Sequence, residues 1–148
     1  MTDTSLPNPL TKAFDSISEG IVLLDADDRV ISYNSFYRDT MIPLVGDLLA
    51  RGVSFEELVR EGARRGLYNV AEEALEEFVD NRLQDHRTLP IVREHQLGDG
   101  RWARISEYRT DDGGSVVLHS DITDLKKHGQ ALAQSEARFR DFAAPRKT

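Results

Sequence analysis

The sequence predicts an α+β fold in which five antiparallel strands form one sheet, with helices gathered on one face. Three observations carry that expectation. Two short apolar runs, Gly20 to Asp25 and Arg29 to Tyr33, flank the turn-prone triplet Ala26-Asp27-Asp28, as the two strands of a hairpin would. The middle of the chain then spaces its apolar side chains at helical intervals. Three further stretches read as strands, Ile91 to Leu97, Arg101 to Thr110 and Ser115 to Asp121, and are separated by Gly98-Asp99-Gly100 and Asp111-Asp112-Gly113-Gly114, residues that tolerate the backbone angles of hairpin turns. Hairpins make these strands antiparallel, and the first pair must join the last three to complete a single sheet.

Taken in order, residues 1–9 contain Pro7 and Pro9 and read as a flexible lead. Leu10, Ala13, Phe14 and Ile17 fall at i, i+3, i+4 and i+7, which places one apolar stripe on a short leading helix. Asn34 follows the second strand and suits the N-cap of a helix over Ser35 to Met41. Pro43 to Gly52 is expected to be irregular with room for one helical turn. Ser54-Phe55-Glu56-Glu57 is a capping box, with Val53 and Leu58 placed as its hydrophobic staple; the helix it opens runs to about Arg65 and stops at Gly66. In the next helix Ala71, Ala74, Leu75, Phe78, Val79 and Leu83 share a face that must lie on something apolar. The acidic residues between them are expected to face solvent, and Pro90 ends the pattern.

Strand alternation assigns side chains to faces. Ala103, Ile105 and Glu107 fall on one side of the fourth strand, and Trp102, Arg104, Ser106 and Tyr108 on the other; the small apolar residues are expected to face the helices. In the fifth strand Val117, His119 and Asp121 oppose Val116, Leu118 and Ser120. Past Asp121 the composition changes abruptly into a long polar helix, so this strand is wired directly into an exit helix. Leu125, Leu132 and Phe139 repeat at seven residues, an imperfect coiled-coil seam because Gly129 and Glu136 occupy the intervening core positions. The expected divisions are 1–9 lead, 10–122 folded domain, 123–143 linker helix and 144–148 tail.

Composition narrows the function. With 148 residues the chain suffices for one domain with its own core. A net charge of −7 argues against nucleic acid or an anionic membrane as partner, since phosphates need a basic face to displace their counterions. No window approaches the roughly 20 apolar residues of a membrane span, and the first residues lack the features of a secretory signal. A cytoplasmic protein, or the cytoplasmic piece of a longer one, is the expectation. There is no cysteine, hence no disulfide, thiolate nucleophile or cysteine metal site.

The closing Asp121-Ile122-Thr123, preceded by Asp112-Gly113-Gly114 and a hydrophobic strand, resembles the terminal motif of PAS sensory domains. Its companions stand upstream at matching places: Glu19 to Asp25, Arg29 to Asn34, and Asp99 to Glu107. The similarity covers roughly residues 10 to 125. It implies the five-stranded sheet, an N-terminal flanking helix, a C-terminal exit helix and a structural role for Asn34. It also implies a sensory module of a multidomain signalling protein, a histidine kinase or a cyclic-di-GMP enzyme, not catalytic by itself. Asp121, Ile122 and Thr123 would form the signal junction, Asp121 by pairing with a basic or amide group and Thr123 by capping. Homodimerisation through Leu10, Phe14, Ile17, Leu125, Leu132 and Phe139 and a C-terminal effector domain complete that picture.

The residues themselves supply no enzyme motif: there is no phosphate-binding glycine loop, nucleophile elbow or zinc helix. His86, His95, His119 and His128 lack metal-ligand spacing and are each expected on the surface or in plain packing. A pocket between sheet and helices would be lined by Phe55, Leu58, Leu75, Phe78, Val79, Leu83 and Ile105, residues that suit an ordinary core equally well. Among the cofactors of the family, cysteinyl-flavin chemistry is excluded by the missing cysteine. Haem is not expected, because His86 falls at the end of the long helix and not within it. The alternatives are a ligand-free constitutive dimerisation module and, third, a small standalone enzyme.

Overall fold

The computed structural model describes residues 18–130. Five strands form one sheet in the order β2-β1-β5-β4-β3: β1 (Gly20–Leu24), β2 (Val30–Tyr33), β3 (Ile91–Gln96), β4 (Trp102–Arg109) and β5 (Ser115–Asp121). Every neighbouring pair is antiparallel. The chain closes the sheet by setting its last strand between its first and its fourth, so β5 occupies the centre.

The connection from β2 to β3 carries the helices. A π-turn at Tyr37–Met41 and a 3-10 turn at Pro43–Val45 lead into α1 (Gly46–Ala50), then α2 (Phe55–Arg64), a 3-10 turn at Glu72–Ala74 and α3 (Leu75–His86). The segment expected to be irregular, Pro43 to Gly52, is thus mostly helical, because Val45, Leu48 and Leu49 are all buried there. A last helix, α4, begins at residue 123 and is described to residue 130.

Local chemistry explains the boundaries. The Asn34 side-chain oxygen accepts from the Tyr37 amide at 3.1 Å and from the Ile21 amide at 3.0 Å, while its amide nitrogen donates to the Glu19 carbonyl at 2.8 Å. One fully buried side chain therefore caps the helical segment and ties it to β1. Ser54 Oγ accepts from the Glu57 amide at 3.1 Å, and the staple residues Val53 and Leu58 are buried. Gly66 ends α2 with φ +86°, a conformation that costs glycine little. A Cβ at Gly98 would lie 2.0 Å from the Gly66 carbonyl oxygen, so the β3–β4 hairpin can seat against the end of α2 only without a side chain there.

The core lies between the sheet and α1–α3. Val22 and Leu24 of β1, Ala103 and Ile105 of β4 and Val117 of β5 face it, Ala103 and Ile105 as expected from the alternation in their strand. Trp102 and Arg104 are half-buried on the opposite face, and Val92 and Tyr108 are exposed. The apolar face expected for the long helix does pack on the core, but rotated so that two polar side chains share its buried stripe. Its buried residues are Val79, Arg82 and His86, whereas Ala71 is exposed and Leu75, Phe78 and Leu83 are only partly covered. Turned this way, α3 delivers a guanidinium and an imidazole to the interior. Leu10, Phe14, Ile17, Leu132 and Phe139, expected at a dimer interface, lie outside the described residues.

Candidate functional site

A cavity of about 20 Å³ sits between β1, β5 and the helices, lined among others by Val22, Leu24, Tyr37, Phe55, Leu58, Val59, Tyr68, Arg82, Val117 and His119. That is room for about one water molecule. Of the residues expected to line a pocket, Phe55 and Leu58 do so. Val79 and Ile105 are buried elsewhere in the core, and Leu75, Phe78 and Leu83 pack against its edge.

The polar groups beside this cavity distinguish it from plain core. Arg82 is 2% exposed and its Cζ lies 5.6 Å from the centre of the Phe55 ring. One of its terminal nitrogens is 3.7 Å from Glu107 Oε2, an ion pair too long for a hydrogen bond. Its Nε and Nη1 have no hydrogen-bond partner among the described residues. His119 is also buried, its ring centre 4.8 Å from that of Tyr37 in an edge-on arrangement, and its Nδ1 is likewise without a partner. Burial, the nearby Arg82 charge and His95 together hold His119 well below the usual histidine pKa, so it is neutral at neutral pH. Burial raises the Tyr37 and Tyr68 phenols, which remain protonated.

A second cluster bolts α3 to the sheet. His86 Nδ1 is 2.8 Å from Glu107 Oε1, and Nε2 is 3.0 Å from Asp28 Oδ1. Phe55 stacks on the imidazole with ring centres 3.8 Å apart. Burial opposes a charge on His86, but the hydrogen bonds to Glu107 and Asp28 outweigh it and raise the pKa. Asp28 reaches this position from a turn with φ 59°, which aspartate tolerates better than most residues. The histidines expected as surface or plain packing therefore divide. His128 is exposed, whereas His86 and His119 are buried and His95 is half-buried. Sequence reasoning did not single out Arg82 or Glu107; the available signal was a charged residue on an otherwise apolar face, Glu107 in register with Ala103 and Ile105.

The junction expected at Asp121-Ile122-Thr123 forms a compact knot at the end of β5. Asp121 Oδ1 accepts from the Thr123 amide at 2.9 Å and from its hydroxyl at 2.6 Å. Thr123 Oγ1 in turn accepts from the Trp102 amide at 2.9 Å, and the Ile122 amide donates to the Trp102 carbonyl at 2.9 Å. Ile122 is buried. The partner of Asp121 is thus an amide and a hydroxyl, and Thr123 uses its hydroxyl to tie α4 to the first residue of β4. Lys126 adds a contact of its own, its Nζ 4.8 Å from the Trp102 ring centre and 2.7 Å from Glu94 Oε1. Leu125, expected in the coiled-coil seam, is 59% exposed.

No group of three or more histidine, aspartate or glutamate side chains among the described residues is arranged to hold a metal ion. No helix among them is long and apolar enough to cross a membrane.

Comparison with known proteins agrees on the fold. A family model described as the PAS fold matches residues 14–130. The non-motile and phage-resistance protein of Caulobacter vibrioides is 32% identical over 142 residues, covering 93% of this chain. The chain spans only 15% of the length of that relative. Among solved structures, the sensor region of a sensor histidine kinase superposes with a TM-score of 0.52 at 19% identity, covering 84% of this chain and 43% of that one. An RNA-binding light-oxygen-voltage receptor gives 0.50 at 16% identity, covering 93% of this chain and 40% of the other.

Proposed function

Because the chain belongs to the PAS-fold family, we propose that it is the sensory module of a longer signal-transduction protein, receiving a small molecule beneath the sheet and passing the change to its exit helix. One observation carries this reading. β5 contributes Val117 and His119 to the cavity wall and, two residues further, Asp121 to the knot that holds α4. A shift of the central strand at His119 thereby alters the anchor of the exit helix, and a C-terminal effector would read the rotation or splaying of paired helices. A histidine kinase or a cyclic-di-GMP enzyme is the output proposed, acting in a homodimer in which Leu125 joins Leu132 and Phe139 at the helix seam. The module itself is read as non-catalytic.

The size of the cavity, about 20 Å³, favours a second reading, a ligand-free module whose input is dimer rearrangement alone. Mass spectrometry under native and then denaturing conditions separates the two. A non-covalent mass lost on denaturation supports chemical sensing, and an unliganded dimer supports the second reading. Transmission is tested by Asp121→Ala in a fusion to a reporter kinase: loss of regulation with a folded domain is expected, and wild-type regulation would refute the proposed route.

A further inference from the structure

Arg82 is a buried cation with unmet donors. Its Nε and Nη1 together carry three N–H groups, and neither nitrogen has a hydrogen-bond partner among the described residues. Glu107, the carboxylate nearest to it, stands 3.7 Å away and gives its other oxygen to His86 at 2.8 Å. Unmet donors on a buried charge are costly, and they gain most from an acceptor that is itself charged. His119 lines the same cavity as Arg82, and its Nδ1 has no hydrogen-bond partner among the described residues. Apart from the phenols of Tyr37 and Tyr68, the remaining walls, among them Val22, Leu24, Leu58, Val59 and Val117, are apolar.

Resting on the sensory reading above, we propose that the cavity binds a compact monocarboxylate, its carboxylate taken by Arg82 and His119 and its short alkyl tail by the apolar walls. Arg82 already offsets the charge of Glu107, so an added monoanion leaves the cluster one negative charge in excess and a dianion two, which selects against dianions such as phosphate. A wall composed largely of hydrocarbon favours an organic anion over a halide. The space of about 20 Å³ is smaller than acetate or propionate, so entry has to part α2 and α3 from β5. That displacement is the kind of change a sensory core must make.

The test is an NMR titration of the full 148-residue chain with acetate and propionate against acetamide and propionamide, in a buffer free of carboxylates. The acids are expected to shift the Val117 and His119 backbone resonances saturably at millimolar concentration or below, with the amides at least ten-fold weaker. Arg82→Met combined with Glu107→Gln, which removes the pair without stranding a charge, should weaken the acids at least ten-fold. His119→Leu, which leaves Arg82 and Glu107 in place, should weaken them several-fold. Equal binding of acids and amides would overturn the proposal, as would undiminished acid binding in both variants. No acid binding, with a different compound retained in native mass spectrometry, would overturn it while leaving the sensory reading intact. Failure of both measurements would remove the two together.

Discussion

His119 and Asp121 stand two residues apart on the same face of β5, one in the wall of the interior cavity and the other clasping Thr123 through both its amide and its hydroxyl. The strand between them is the sheet's central one, paired with β1 along one edge and β4 along the other. The shortest covalent path from the core to the exit helix therefore passes through Ser120.

The knot at that helix has a testable cost. Thr123→Val keeps the size of the side chain but leaves the Trp102 amide without its acceptor, and should lower stability by about 1–2 kcal/mol. Thr123→Ser retains the hydroxyl and should recover most of the loss. Thermal or urea unfolding of the two variants checks this; equal losses would show that the hydroxyl is not what matters.

Asn34 joins three backbone groups, of Glu19, Ile21 and Tyr37. Asn34→Ala should therefore cost about 1–3 kcal/mol, more than the roughly 1 kcal/mol expected of an ordinary cap such as Ser54→Ala. Denaturant midpoints of the two variants, measured side by side, give the order.

His95 gives a dependence on pH. Burial, with the Arg82 and Arg93 charges adding to it, pushes its pKa down to about 3. The unfolded chain takes up a proton near pH 6.5 and the folded chain does not, so stability falls as the pH drops from about 6.5 towards 3, by at most about 1.4 kcal/mol per unit. His119 acts in the same direction. His86 acts in the opposite one: its raised pKa gives a stabilisation complete below pH 6.5 and lost as the pH rises through the folded value. His95→Phe keeps an aromatic ring beside Tyr68 and Phe78, and should gain on the wild type steadily below pH 6.5. A constant difference between the two unfolding curves from pH 7 to 4 would contradict the assignment.

Arg82 and Glu107 should behave as a pair. Removing either alone strands a buried charge, so Arg82→Met and Glu107→Leu should each cost about 3–5 kcal/mol. The double variant should cost clearly less than their sum. Additive losses in urea unfolding would place the two residues in separate environments.

The order of strands and helices was legible because each boundary carries local chemistry: the Ser54 capping box, the Asn34 cap, and the Gly-Asp hairpins before Trp102 and Ser115. Alternation also placed Ala103 and Ile105 towards the core, and set Val117 and His119 on one face of the fifth strand without telling which face looks inward. It placed Glu107 inward too, but a charge on an inward face has no meaning until its partner is known, and the partners come from α3. The apolar residues of that helix phased it only approximately. Leu75, Phe78 and Leu83 outnumber Val79 among the hydrophobic positions, yet the sheet presents Glu107 to this helix, and pairing with that carboxylate turns Arg82 and His86 inward. The cavity was beyond reach for the same reason, since its character is set by side chains from β1, β5, α2 and α3 that meet only in three dimensions. The Asp121-Ile122-Thr123 junction was visible as a motif, whereas the hydrogen bond from the Trp102 amide to Thr123 depends on the β4–β5 register.

The coupling of cavity to exit helix is tested most directly by a double-mutant cycle on stability, using His119→Leu, Thr123→Val and the two combined. These side chains share no contact, so additivity within about 0.3–0.5 kcal/mol is the behaviour of independent sites. If β5 transmits between them, the cycle should return an interaction energy of at least about 0.5 kcal/mol, reproduced by urea and thermal unfolding. An additive cycle would contradict the account, leaving a cavity and a junction that merely lie on the same strand.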